Sequence, residues 1–80
     1  MISEKKLVKM AEEVISIVKL DYAPVDFIPN GFKVLLTKEL NENEINKVEK
    51  EMMKEGFLSM YIDDEPEEGF TSNLTVIKFG

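Results

Sequence analysis

The segment from Asn41 to Gly56 marks both ends of a helix, and that punctuation constrains the rest of the chain. Asn41 stands where an N-cap side chain accepts a backbone N–H, and Glu44 three residues on completes a capping box. Leu40 and Ile45 are placed as a hydrophobic staple, and Gly56 holds the position of a left-handed C-terminal cap. The spacing predicts a helix over 42–55. Its apolar stripe is narrow, made of Ile45, Val48, Met52 and Met53, with Lys47 and Glu51 four apart on the other side. A helix with one narrow stripe lies on a single layer, which the remaining segments must supply.

A second helix is predicted over 4–20. Ser3 is its cap, and Leu7, Met10, Ala11, Val14, Ile15 and Val18 follow the 3, 4, 7 spacing of one buried face. Val8 and Ile17 widen that stripe beyond what one sheet face needs, so they mark either a thickly buried helix or a surface met by a partner chain or a neighbouring loop. Asp21, Tyr22, Ala23 and Pro24 stop the helix. An Asn30-Gly31 turn signal follows, leading into a strand from Phe32 to Thr37. Val25 to Ile28 reads as a candidate hairpin partner, but Pro29 confines any such strand to an edge, and the expectation leans to three strands rather than four. Phe57 to Ile62 and Ser72 to Phe79 are β-prone runs close enough in sequence to pair antiparallel. In the last run Leu74 and Val76 face one way while Thr75, Ile77 and Phe79 face the other.

The fold class expected is α+β in two layers, in the order α-β-α-β-β with an optional strand at 25–28. Both helices lie on one face of a three- or four-stranded, mainly antiparallel sheet. Eighty residues, 44% of them apolar, suit one domain spanning 1–80 with one thin core.

Several classes of chemistry are disfavoured by what the chain lacks. With no Cys and no His there is no thiolate or imidazole to ligate a metal or serve as nucleophile and base, so neither catalysis nor a cofactor is expected. Ser59 and Ser72 read as sheet and turn residues, and the four glycines are isolated rather than gathered into a phosphate loop. All ten cations are lysine and the net charge is −6, which argues against direct binding of nucleic acid or of anionic membranes. No stretch approaches the ~20 apolar residues of a membrane span, and Lys5 and Lys6 precede an amphipathic pattern rather than a signal sequence. The absence of cysteine fits a cytoplasmic location.

Charge is unevenly placed. Residues 39 to 68 hold eleven acids against Lys47, Lys50 and Lys54, and five of those acids, Asp63, Asp64, Glu65, Glu67 and Glu68, fall between the last two strand candidates. Mutual repulsion keeps such a run hydrated and ionised, the opposite of what a catalytic carboxylate pair needs. Its spacing also departs from a calcium loop, which wants ligands at positions 1, 3 and 5, Gly at 6 and Glu at 12.

A carboxylate every ~3.3 Å of extended chain approaches the charge density of duplex DNA, about one charge per ~1.7 Å. The expectation is therefore a non-enzymatic module that binds a basic or nucleic-acid-binding protein. Contacts are expected from Asp63, Asp64, Glu65, Glu67 and Glu68, joined by Glu42, Glu49 and Glu55 from the second helix, with Tyr61 and Phe70 as apolar anchors. In composition the chain is similar to small phage-encoded inhibitors of host proteins. The plainer reading makes the acidic loop solubilising punctuation. The alternative function is a self-associating homodimer that uses Val8, Ile17 or an exposed strand face.

Overall fold

The computed structural model describes residues 4–63 and 65–78. The expected cap Ser3, the loop acid Asp64 and the strand-end Phe79 lie outside the described residues. Helix α1 (Glu4–Val18) is followed by strands β1 (Val25–Ile28) and β2 (Gly31–Leu36), helix α2 (Glu42–Lys54), and strands β3 (Ser59–Asp63) and β4 (Ser72–Ile77). The strands form one sheet in the order β1-β2-β4-β3, with every neighbouring pair antiparallel. The expected α+β architecture is thus present. β2 and β3 run parallel to each other, joined through α2, and β4 returns between them.

The strand at 25–28 does form, against the weight of the sequence expectation. Pro29 is accommodated because it sits in the turn rather than in the ladder, with Asn30 beside it in the left-handed region at φ 59°. The turn therefore falls on Pro29–Asn30, and Gly31 is the first residue of β2 rather than half of an Asn-Gly turn. Gly31 is required there by proximity, since a Cβ would lie 2.2 Å from the Val76 carbonyl oxygen of β4.

The core fills the space between the sheet and the helices. Phe32, Val34 and Leu36 of β2 and Leu74 and Val76 of β4 meet Leu7, Met10, Ala11, Val14 and Val18 of α1 and Val48 and Met52 of α2. Phe57, just before β3, is fully buried with its ring edge-on to Phe32, centroids 6.2 Å apart. The alternate residues of the same strands, Lys33, Leu35, Asn73, Thr75 and Tyr61, share the opposite face. On α1, Val8 is exposed and Ile17 half-buried, so the widened stripe is incompletely covered.

Both caps of α2 form. The Glu44 N–H donates to Asn41 Oδ1 at 2.8 Å and the Asn41 N–H donates to Glu44 Oε1 at 3.1 Å. At the other end the Phe57 N–H reaches the Met52 carbonyl and the Gly56 N–H the Met53 carbonyl, with Gly56 at φ 85°. α1 stops at Val18, two residues before its expected end, because Lys19 turns left-handed at φ 57°.

Candidate functional site

The acidic segment leaves β3 at Asp63 and re-enters the sheet at Ser72, and it is built from two local turns. The Asp63 Oδ1 accepts the Glu65 N–H at 2.9 Å, and the Phe70 N–H donates to the Glu67 carbonyl at 3.1 Å around Gly69, which takes φ 93°. Its exit is fastened to the segment that leads into α2. The Thr71 N–H donates to the Leu36 carbonyl at 2.8 Å, and the Ser72 hydroxyl to the Lys38 carbonyl at 3.3 Å. A cleft of about 420 Å³, lined by Glu39, Leu40, Ile62, Thr71 and Ser72, separates the two segments.

The cleft sets Glu39 opposite the two ends of the acidic loop. Asp63, Glu65, Glu67 and Glu68 are exposed along that loop, Glu39 is exposed across the cleft, and Glu42 opens α2 three residues further on. Glu39 was not among the expected contacts; its place next to the helix cap is the sequence signal that points to it. Lys38, the lysine nearest it in sequence, is engaged elsewhere. Its ammonium donates to Glu44 Oε2 at 2.6 Å and to the Val18 carbonyl at 3.2 Å, tying the end of α1 to the start of α2. The hydrogen bond from Lys38, reinforced by the one from the Asn41 N–H, holds the Glu44 carboxyl below its ordinary value of 4.5 despite its burial.

The remaining expected acids lie elsewhere. Glu49 borders a groove of about 370 Å³ shared with Met52, Met53, Phe57, Leu58, Ser59 and Met60, at the middle of α2 on its β3 side. Glu55 caps the far end of α2, about 20 Å along the axis from Glu42. It faces α1, where its charge and that of Glu51 act on Glu13. A hydrogen bond with Glu51, then burial, then those charges raise the Glu13 carboxyl above 4.5 against the opposing pull of Lys9. Lys47, Lys50 and Lys54 share the outermost face of α2 between these two rows of acids. Tyr61 is 54% exposed on the sheet face away from the helices, and Phe70 is half-buried in the loop.

Comparison with protein-family models, with curated proteins and with solved structures finds no match to this chain. Among the described residues no cluster of three or more acids is arranged to hold a metal ion, and no helix is long and apolar enough to cross a membrane.

Proposed function

We propose that this chain is a small non-enzymatic protein-binding module that docks its anionic end on a basic surface of a partner protein. The observation that supports the reading is the anchoring of the acidic loop's exit, with the Thr71 N–H on the Leu36 carbonyl at the end of β2 and the Ser72 hydroxyl on the Lys38 carbonyl in the β2–α2 connection. In this reading Glu39, Glu42, Asp63, Glu65, Glu67 and Glu68 act together, with Lys38 engaged by Glu44 and the Val18 carbonyl. Preorganised charge of one sign speeds encounter and selects against like-charged partners. A partner whose basic surface ordinarily holds nucleic acid fits best, because a fixed row of carboxylates competes for the same lysines and arginines. A DNA-mimicking inhibitor of the phage type is the specific form of this reading. Tyr61 and Phe70 border the anionic group as apolar contacts.

The test compares the native chain with a variant carrying Asp63→Asn, Glu65→Gln, Glu67→Gln and Glu68→Gln. Each is immobilised and exposed to host lysate at low and moderate salt, and the captured proteins are identified by mass spectrometry. The reading expects a basic, nucleic-acid-binding protein held by the native chain, released by salt and by duplex DNA, and missed by the variant. Equal capture by the two chains, or capture indifferent to salt and DNA, contradicts it.

A further inference from the structure

The edge of the sheet at β3 is chemically unlike the edge at β1, and the ladder shows which backbone groups each presents. The Lys78 N–H donates to the Asn30 carbonyl at 2.7 Å, which makes Gly31 and Ile77 a pair that does not exchange hydrogen bonds. Counting along the register, Phe32, Val34 and Leu36 bond to β4, while Asn73, Thr75 and Ile77 turn their backbone groups toward β3. Their partners Asp63, Tyr61 and Ser59 point inward in turn. Met60 and Ile62 therefore direct both N–H and C=O outward. Among the described residues no strand lies beyond β3 to receive them.

Strand edges in folded proteins are ordinarily blunted by lysine, proline or a bulge. β3, Ser59-Met60-Tyr61-Ile62-Asp63, contains neither lysine nor proline, and its one irregularity, the Leu58 N–H donating to the Ile77 carbonyl that Ser59 also faces, lies ahead of Met60. Large apolar side chains lie on and beside it instead: Tyr61 at its centre is 54% exposed, Leu58 just before it 67% and Met53 on the neighbouring helix 69%.

We infer that this edge pairs with β3 of a second copy of the same chain, antiparallel and centred on Tyr61. In that register Met60 lies opposite Ile62 of the copy and the two exchange both hydrogen bonds. Ile62 and Met60 of the copy repeat the exchange, so all four outward donors and acceptors on each strand are matched. Tyr61 meets its own equivalent as a close pair that does not exchange hydrogen bonds, and Ser59 meets Asp63, so no like charges stand directly opposite.

Charge fixes the direction of pairing. β3 begins near Lys78, whose Nζ lies 3.7 Å from where a Gly56 Cβ would be, with Glu49 on the groove shared by Leu58 and Ser59. It ends in Asp63 and the acidic loop. Lys78 has no carboxylate within ion-pair distance among the described residues. Antiparallel pairing carries Glu65, Glu67 and Glu68 of each copy toward the end of the strand where Lys78 of the other lies, whereas parallel pairing would stack the two acidic loops. Because β1 is four residues long with Pro24 before it and Pro29 after it, that edge offers too little ladder to pair, and association closes at two copies rather than extending into a fibre.

Sedimentation across protein concentration tests this directly. The expected result is a 9.2 kDa chain doubling its mass in the micromolar range, a weak dimer suited to a small interface. Tyr61→Lys, which places two ammonium groups face to face at an exposed position, weakens the dimer about tenfold or more with the far-ultraviolet spectrum unchanged. Phe27→Lys on β1 leaves the dimer intact. The register has its own readout, because close antiparallel pairs have Cα atoms about 4.5 Å apart, within disulfide range. Tyr61→Cys is expected to give a disulfide-linked dimer under mild oxidation. Ser59→Cys and Asp63→Cys link when mixed with each other but not alone. A chain that stays monomeric at ~0.5 mM, or a dimer that survives Tyr61→Lys and links through Phe27→Cys instead, overturns the inference.

Discussion

β1 and β3 bound the same sheet and expose nearly equal aromatic surface, Phe27 at 52% and Tyr61 at 54%, yet their backbones are unequally available. On β1 the residues that bond to β2 are Asp26 and Ile28, extended by the Pro24 carbonyl, which accepts the Leu35 N–H at 2.9 Å. Val25 and Phe27 face outward, and the next outward position is Pro29, which has no N–H to offer. A strand of four residues closed by proline on both sides presents too little ladder to pair. β3 has neither obstruction. The contrast teaches that exposed side chains do not distinguish a guarded edge from an open one; the parity of the ladder and the placement of proline do.

The largest expected effect breaks the guarded side. Gly31→Ala forces a Cβ against the Val76 carbonyl, so the β1–β2 hairpin has to shift away from β4. A loss of about 2–3 kcal/mol in urea-induced unfolding is expected. An unchanged midpoint would mean that the hairpin is not seated as described.

A smaller effect is expected at the start of α2, where it is tied to the end of α1. Glu44→Ala removes the carboxylate that completes the capping box and receives Lys38, and a loss of about 1–2 kcal/mol follows if both bonds contribute. Lys38→Met tests the same tie from the other partner, since the lysine also holds the Val18 carbonyl.

The smallest effects are in pH dependence, and the two shifted carboxyls act in opposite directions. Glu44 has a folded-state value below 4.5, so its stabilisation is present above 4.5 and disappears as pH falls through the lowered value. Glu13 has a folded-state value above 4.5, so its contribution is complete below 4.5 and disappears as pH rises through the raised value, where Glu51 and Glu55 repel it. Chemical unfolding from pH 3 to 7 should therefore show Glu13→Gln gaining stability relative to the native chain toward neutral pH. Glu44→Gln should flatten the loss on acidification. The reverse pattern would refute the assigned causes.

How far the sequence foretold this arrangement follows from the range of each interaction. The caps of α2 were readable because Asn41, Glu44 and Gly56 act within a few residues of one another. The pairing of β3 with β4 followed from a short connection, and the acidic loop from its composition. β1 was undervalued because proline propensity carries no information on whether Pro29 will fall in the ladder or in the turn. Lys38 escaped notice because its second bond reaches Val18, twenty residues away. Glu42, Glu49 and Glu55 were grouped by their shared helix. Helical spacing already separates Glu55 from the other two around the axis; what it does not give is which neighbour each side of α2 meets, β3 for Glu49 and α1 for Glu55. The open edge was invisible for the same kind of reason, since it exists because β4 inserts between β2 and β3.

Amide hydrogen exchange, measured at low and high protein concentration, compares the two edges within one molecule. The account predicts that the Met60 and Ile62 amides exchange rapidly when dilute and become protected as concentration rises, while Val25 and Phe27 remain unprotected throughout. Outward amides of β3 that stay as fast as those of β1 at every concentration, or protection that rises equally on both edges, would contradict it.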